Sequence, residues 1–149
     1  FSLIVPSPAA FYLPSKHRRR TRSEKPHIDS AYSFLHPSIH RVDAYSAMAP
    51  HSREYLYFRT DHHWTALGAY YAYRAFCKSA GHEPLALNQF EKRTGYKVFM
   101  GSLYKKTRDR RLRKRPDRVE IAGVAPRERP ARASRPTGAA GRTAPPPPE

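Results

Sequence analysis

Aromatic side chains are missing from the last 45 of the 149 residues: all 18 Phe, Tyr and Trp lie between Phe1 and Tyr104. Without aromatics and with few large aliphatics, a segment cannot bury enough surface to offset an ordering cost of roughly 1 to 2 kcal/mol per residue. The expectation is a core confined to residues 1–104 and a disordered Arg/Pro/Ala-rich tail over 105–149. Cysteine occurs once, at Cys77, which excludes an intramolecular disulfide and leaves the redox compartment open. No run approaches the 18 or so apolar residues needed to cross a bilayer. The chain does not begin with Met, and its opening "FSLIV" reads as a strand already under way. The expectation is that an upstream portion precedes it, so the lack of a signal peptide does not argue for the cytoplasm.

Acidic residues are also scarce, 12 against 28 Lys and Arg, for a net charge of +16. The tail holds 14 of the basic and 5 of the acidic residues, a balance of +9, so the pI of about 10.5 is partly its property. Such a charge attracts nucleic acid, anionic lipid or acidic polysaccharide. The run "KHRRRTR" from Lys16 to Arg22 has no aromatic residue interleaved for base stacking, so it reads as a solvated loop and no specific nucleic acid is expected. The Arg, Ala, Gly and Pro bias after Tyr104 also fits a GC-rich frame entered by a frameshift.

What is present is an alternation of short apolar runs and helical stripes. "SLIV", closed by Pro6 and Pro8, has the pattern of a buried strand in an α/β sheet, and "AFYLP" continues irregularly. From Asp29, residues Ala31, Phe34 and Leu35 stand at helical spacing ahead of Pro37. "IHRV" predicts a second short strand, and the alternation in "REYLYFRT" predicts a third. Trp64, Leu67, Gly68, Tyr71, Ala72 and Ala75 then recur every three or four positions, predicting a helix to Ala80 with Thr60 or Asp61 as N-cap and Gly81 just past its end. Gly68 and Ala72 would admit another backbone closely. "LNQFEKRT" suggests a further short helix, and "YKVFMGSLY" a strand or extended return.

The segment between third strand and long helix, "TDHHW", carries the chemistry. If the helix begins there, His63 lies at its N-terminus, where the dipole and unpaired N–H groups favour the neutral imidazole a general base needs. Asp61, two positions earlier, can turn back to accept Nδ1–H from His63 and fix its tautomer. A simpler reading makes Asp61 the N-cap, Trp64 part of the core, and His62 and His63 exposed first-turn residues. A metal reading would use Asp61, His62 and His63, with His51 as a fourth ligand. It lacks the i, i+4 spacing that places two histidines on one helix face.

The stretch "YFRTDHHWTALGAYYAYRAF" resembles the signature of the DHHW family, named for the tetrad at Asp61 to Trp64. "IVPSPAAFYLP", "RVDAYSAMAPHSREYLYFRT" and "FEKRTGYKVFMGSLYKKT" extend the resemblance over most of Phe1 to Thr107. The family is similar to the SGNH-hydrolase-like proteins that O-acetylate alginate and related bacterial exopolysaccharides. The resemblance implies an α/β fold, part of an SGNH-hydrolase-like, flavodoxin-like three-layer domain, over residues 1–104. It implies a Ser-His-Asp site in which Asp61 is the orienting carboxylate and His63 the base, with His62 and Trp64 as supporting motif positions. The serine of such relatives comes from a later segment.

Acyl transfer from an acetyl ester to a sugar hydroxyl or to water is then the implied chemistry, with no cofactor and no metal. The implied partners are an acetylated or acceptor polysaccharide and membrane-associated acetyl-transfer machinery, in an extracytoplasmic setting. The sequence departs from the pattern at the nucleophile, because "GDS" occurs nowhere. Ser102 in "MGSLY" lacks a glycine-rich elbow, and Ser134 in "ARASRP" stands in the expected tail. The reading is therefore a fragment carrying the Asp-His half of a site. A non-catalytic polysaccharide-binding protein of the same fold is the alternative, and a basic nucleic-acid or anionic-surface binder ranks below it.

Overall fold

The computed structural model describes residues 1–113 and 117–126. Strand β1 (Ser2–Leu3) pairs in parallel with β2 (Arg41–Val42), Ser2 opposite Arg41 and Leu3 opposite Val42. Parallel neighbours need a long crossover, and here helices α1 (Pro8–Tyr12), α2 (Ser15–Arg18) and α3 (Glu24–Ser33) supply it. Tyr32 ties that crossover to the sheet: its hydroxyl accepts the Ile4 N–H at 2.9 Å and donates to the Val42 carbonyl at 2.7 Å. The parallel pair with its helices is compatible with an α/β fold.

Several elements differ from the sequence reading. "AFYLP" lies largely in α1, whose Ser7 cap accepts the Ala9 N–H. α3 starts at Glu24, five residues before Asp29, because Pro26 falls in the first turn, where its missing N–H costs nothing. Its buried pair is Ile28 and Tyr32, whereas Phe34, past the last helical turn, is 86% exposed. The exposed run Lys16 to Arg22 includes most of α2, so it is only partly a loop.

Asp43 caps α4 (Ala44–Met48) by accepting the Ser46 N–H at 2.9 Å, which turns Ala44 and Met48 inward. α4 packs on α5 (Ala66–Ser79), and Met48, Leu56, Tyr57 and Tyr71 form the core, with Phe11, Trp64, Leu67 and Tyr70 packed around it. Gly68 permits the close approach foreseen for it, because a Cβ there would overlap the Leu56 carbonyl oxygen and stand 3.0 Å from the Trp64 Cβ. α5 ends as expected: Gly81 follows it with φ of +70°.

The third strand expected in "REYLYFRT" reduces to a bridge between Tyr57 and Trp64. "LNQFEKRT" forms one 3-10 turn, Leu87–Gln89, and then enters strand β3 (Phe90–Phe99). After β3 come α6 (Ser102–Thr107), α7 (Arg110–Arg113) and β4 (Asp117–Pro126), which pairs antiparallel with β3. The expected boundary at Tyr104 is thus not where structure stops, and a disordered tail starting at Lys105 does not describe residues 105–113 or 117–126. Backbone pairing with β3 supplies a partner that side-chain hydrophobicity does not advertise. Residues 127–149, with Ser134, lie outside the described residues. No helix among the described residues is long and apolar enough to cross a membrane.

Candidate active site

The tetrad sits in a turn, not at a helix start. The Phe58 N–H donates to the His63 carbonyl at 3.1 Å and the Thr65 N–H to the Leu56 carbonyl at 2.8 Å, a short antiparallel ladder that closes around residues 59–62. α5 begins beyond it at Ala66. Its N-cap is Thr65, whose hydroxyl accepts the Gly68 N–H at 3.3 Å and donates to the Tyr55 carbonyl at 2.6 Å. Neither Thr60 nor Asp61 caps the helix, and the helix dipole therefore does not act on His63 in the way the sequence suggested. Trp64 is half-buried against the core.

Asp61 is only 4% exposed, and both carboxylate oxygens are engaged. Oδ1 accepts the His63 backbone N–H at 2.9 Å and faces the His63 Nδ1 at 2.5 Å. Oδ2 accepts the Ser102 N–H at 2.7 Å, from the first turn of α6. Burial pushes the Asp61 carboxyl up, but the hydrogen bonds from the Ser102 and His63 N–H groups, from the His63 ring and from the Ser102 hydroxyl outweigh it. They hold the group well below the ordinary carboxylate range, so Asp61 is an anion throughout the neutral region. A carboxylate on Nδ1 makes Nδ1–H the favoured tautomer of His63 and leaves Nε2 as a proton acceptor. The His63 side chain is 67% exposed, so that acceptor is open to a reactant.

His62 takes a different partner. Its Nδ1 lies 2.6 Å from the Ser102 Oγ and 3.5 Å from Asp61 Oδ1, and its ring leans on that of His63 with centroids 3.9 Å apart. The N–H groups of the Ser102 turn are already engaged: Gly101 on the Thr60 Oγ1, Ser102 on Asp61, and Leu103 and Tyr104 on the Thr60 carbonyl. A carboxylate bound to the Ser102 N–H also opposes negative charge on the adjacent oxygen.

Asp61, His62 and His63 each offer a ligand atom, all within 4.8 Å of one another. The turn removes the helical argument against a metal, since both rings lean to one side. Without an ion, His63 Nδ1 and Asp61 Oδ1 stand 2.5 Å apart as a hydrogen bond. His51 is occupied elsewhere, stacked on Tyr71 and 2.6 Å from Glu54 Oε1.

Three supporting residues take roles that the sequence did not signal. Gly101 packs on Asp61 so tightly that a Cβ would sit 2.8 Å from its Cγ. Thr60 and Asp117 are fully buried: Asp117 accepts the Arg59 and Thr60 N–H groups at 2.7 Å each, together with the hydroxyls of Tyr55 and Thr60. A cleft of about 480 Å³ borders Asp61, lined by Tyr12, Tyr55, Tyr57 and Phe58 with Arg53 and Arg59 on its walls.

Comparison with known proteins places this geometry in a group. The family model described as "DHHW protein" matches residues 1–124, past the Thr107 limit of the motifs quoted above. The chain is also similar to a solved structure, the crystal structure of a DHHW family protein from Eubacterium siraeum DSM 15702 at 1.49 Å resolution. The two share 37% identity with a TM-score of 0.72, over 78% of this chain and 38% of that one. The chain therefore spans well under half the length of that relative. No curated protein matches it.

Proposed function

The chain belongs to the DHHW family, and on that premise we propose that it carries the Asp-His half of a Ser-His-Asp acyl-transfer site in an SGNH-hydrolase-like domain. The reaction is O-acetylation or deacetylation of a bacterial exopolysaccharide or cell-surface glycan, carried out outside the cytoplasm alongside membrane-associated acetyl-transfer machinery. One observation carries the reading: the buried Asp61 carboxylate holds the Nδ1 edge of His63 at 2.5 Å while the rest of that ring stays exposed.

In this scheme His63 Nε2 takes the proton of an attacking serine hydroxyl, and the serine oxygen forms a bond to the acetyl carbon as the ester C–O bond breaks. Asp61 stabilises the imidazolium without itself taking the proton. His63 then returns the proton to the leaving sugar oxygen. Water or a sugar hydroxyl releases the acetyl group by the reverse sequence. The serine comes from outside the described residues, since Ser102 pairs with His62 and its own N–H is bound to the Asp61 carboxylate.

The test is acetyl-ester turnover by the product of the whole natural gene, with and without His63→Ala. Loss of turnover in the variant supports the reading. Equal turnover rejects the role of His63. A protein that binds the polysaccharide but turns over no ester in either form would instead favour the non-catalytic binding reading, for which the aromatic cleft beside Asp61 provides a surface.

A further inference from the structure

A buried carboxylate is costly unless its lone pairs are met, and Asp117 meets them with four neutral donors drawn from one short stretch, residues 55 to 60. That stretch ends immediately before Asp61. Burial pushes the Asp117 carboxyl up, and these four hydrogen bonds outweigh it, so it stays charged. Thr60 passes the constraint on. Its hydroxyl donates to Asp117 and its Oγ1 accepts the Gly101 N–H at 3.0 Å, while its carbonyl accepts Leu103 and Tyr104 at 3.0 and 3.2 Å. Gly101 presses on the Asp61 side chain, and Ser102 donates to Asp61 Oδ2. Asp61 is thus held twice, by its backbone through Thr60 and by its carboxylate through Ser102. With Oδ2 occupied, Oδ1 is the oxygen left for His63.

We propose that Asp117 is a positioning residue for the Asp61–His63 pair, acting through Thr60 and the Gly101–Ser102 turn. The role rests on the acyl-transfer reading of that pair, and it makes the basic stretch beyond Tyr104 part of the site. Asp117 touches no reacting atom. It keeps the carboxylate within the few tenths of an ångström that a base and its orienting acid require.

The tautomer of His63 reads this directly. Histidine-¹⁵N spectra of the 149-residue chain at alkaline pH should show His63 held as Nδ1–H, with exposed His17 as the unconstrained reference. Asp117→Asn and Thr60→Val should each move the His63 nitrogens toward the His17 values, while Thr60→Ser, which keeps the hydroxyl, should leave them in place. Unchanged His63 shifts in a folded spectrum of either disruptive variant overturn the proposal. Should both variants fail to fold, amide exchange in the wild-type chain decides. The brace requires Thr60, Gly101, Ser102 and His63 amides to open together, within about threefold in rate. A His63 amide opening about tenfold or more faster than that of Thr60 overturns it. These spectra do not depend on turnover: if His63→Ala left acetyl transfer intact, the functional reading would fall and the tautomer result would stand.

Discussion

Replacing Asp61 with Asn tests the site through stability, without need of a substrate. The carboxylate accepts two donors from His63 on Oδ1 and the Ser102 N–H on Oδ2. An amide has one acceptor oxygen and one donor nitrogen, so in either orientation a nitrogen faces a donor. With its oxygen toward His63, the Ser102 bond is lost. With its oxygen toward Ser102, the His63 backbone N–H loses its acceptor and the ring must switch tautomer so that Nδ1 accepts from the amide. A hydrogen bond to a charged group contributes about 1.5 to 3 kcal/mol, and an unmet buried donor costs about 1 more, so Asp61→Asn should destabilise by about 2 to 4 kcal/mol at pH 7. Urea denaturation across pH measures it. Because the folded-state pKa of Asp61 is depressed, its charge-dependent stability is fully present above its unfolded value, near 3.9, and is lost as pH falls toward the folded value. The gap between wild type and variant should therefore narrow below about pH 4. A variant within about 0.5 kcal/mol of wild type at pH 7, with parallel pH curves, would refute the reasoning.

Three further substitutions probe the surroundings. Gly101→Ala places a methyl group 2.8 Å from the Asp61 Cγ and closer still to its Cβ and Oδ2, which the brace cannot readily release; a loss of about 1 to 3 kcal/mol in denaturation is expected, with a disturbed His63 tautomer. Gly68→Ala meets the Leu56 backbone, 3.3 Å to its carbonyl carbon, and should cost a similar amount while leaving the His63 spectrum unchanged. Thr65→Ala removes the α5 cap and the bond to Tyr55, and should lower stability by about 1 to 2 kcal/mol as read from the melting curve.

How far the sequence could be read follows from the range of each interaction. The Asp61–His63 hydrogen bond spans two residues, so spacing alone suggested it. α5 was legible from its 3.6-residue stripe, and Gly81 from helix-ending chemistry. The start of α5 was not, because a ladder joining Phe58 to His63 and Leu56 to Thr65 holds the tetrad outside the helix. Ser102 reaches Asp61 across 41 positions and Asp117 reaches Thr60 across 57, distances over which no local pattern operates. β4 was missed for a related reason. Aromatic content does not report its stability, because β4 is held by backbone pairing with β3, and Asp117 by polar bonds. The family match to residue 124 agrees with that longer extent and moves any composition-based break away from Tyr104.

We propose that Asp61 orients His63 as the base of an acyl transfer. The most direct test of this role is single-turnover acetyl release from an acetylated glycan by the product of the whole natural gene, wild type against His63→Ala. The variant is expected to lose activity by about a thousandfold or more, in line with removal of a triad base. Release within about twofold of wild type, with the variant folded, would contradict it.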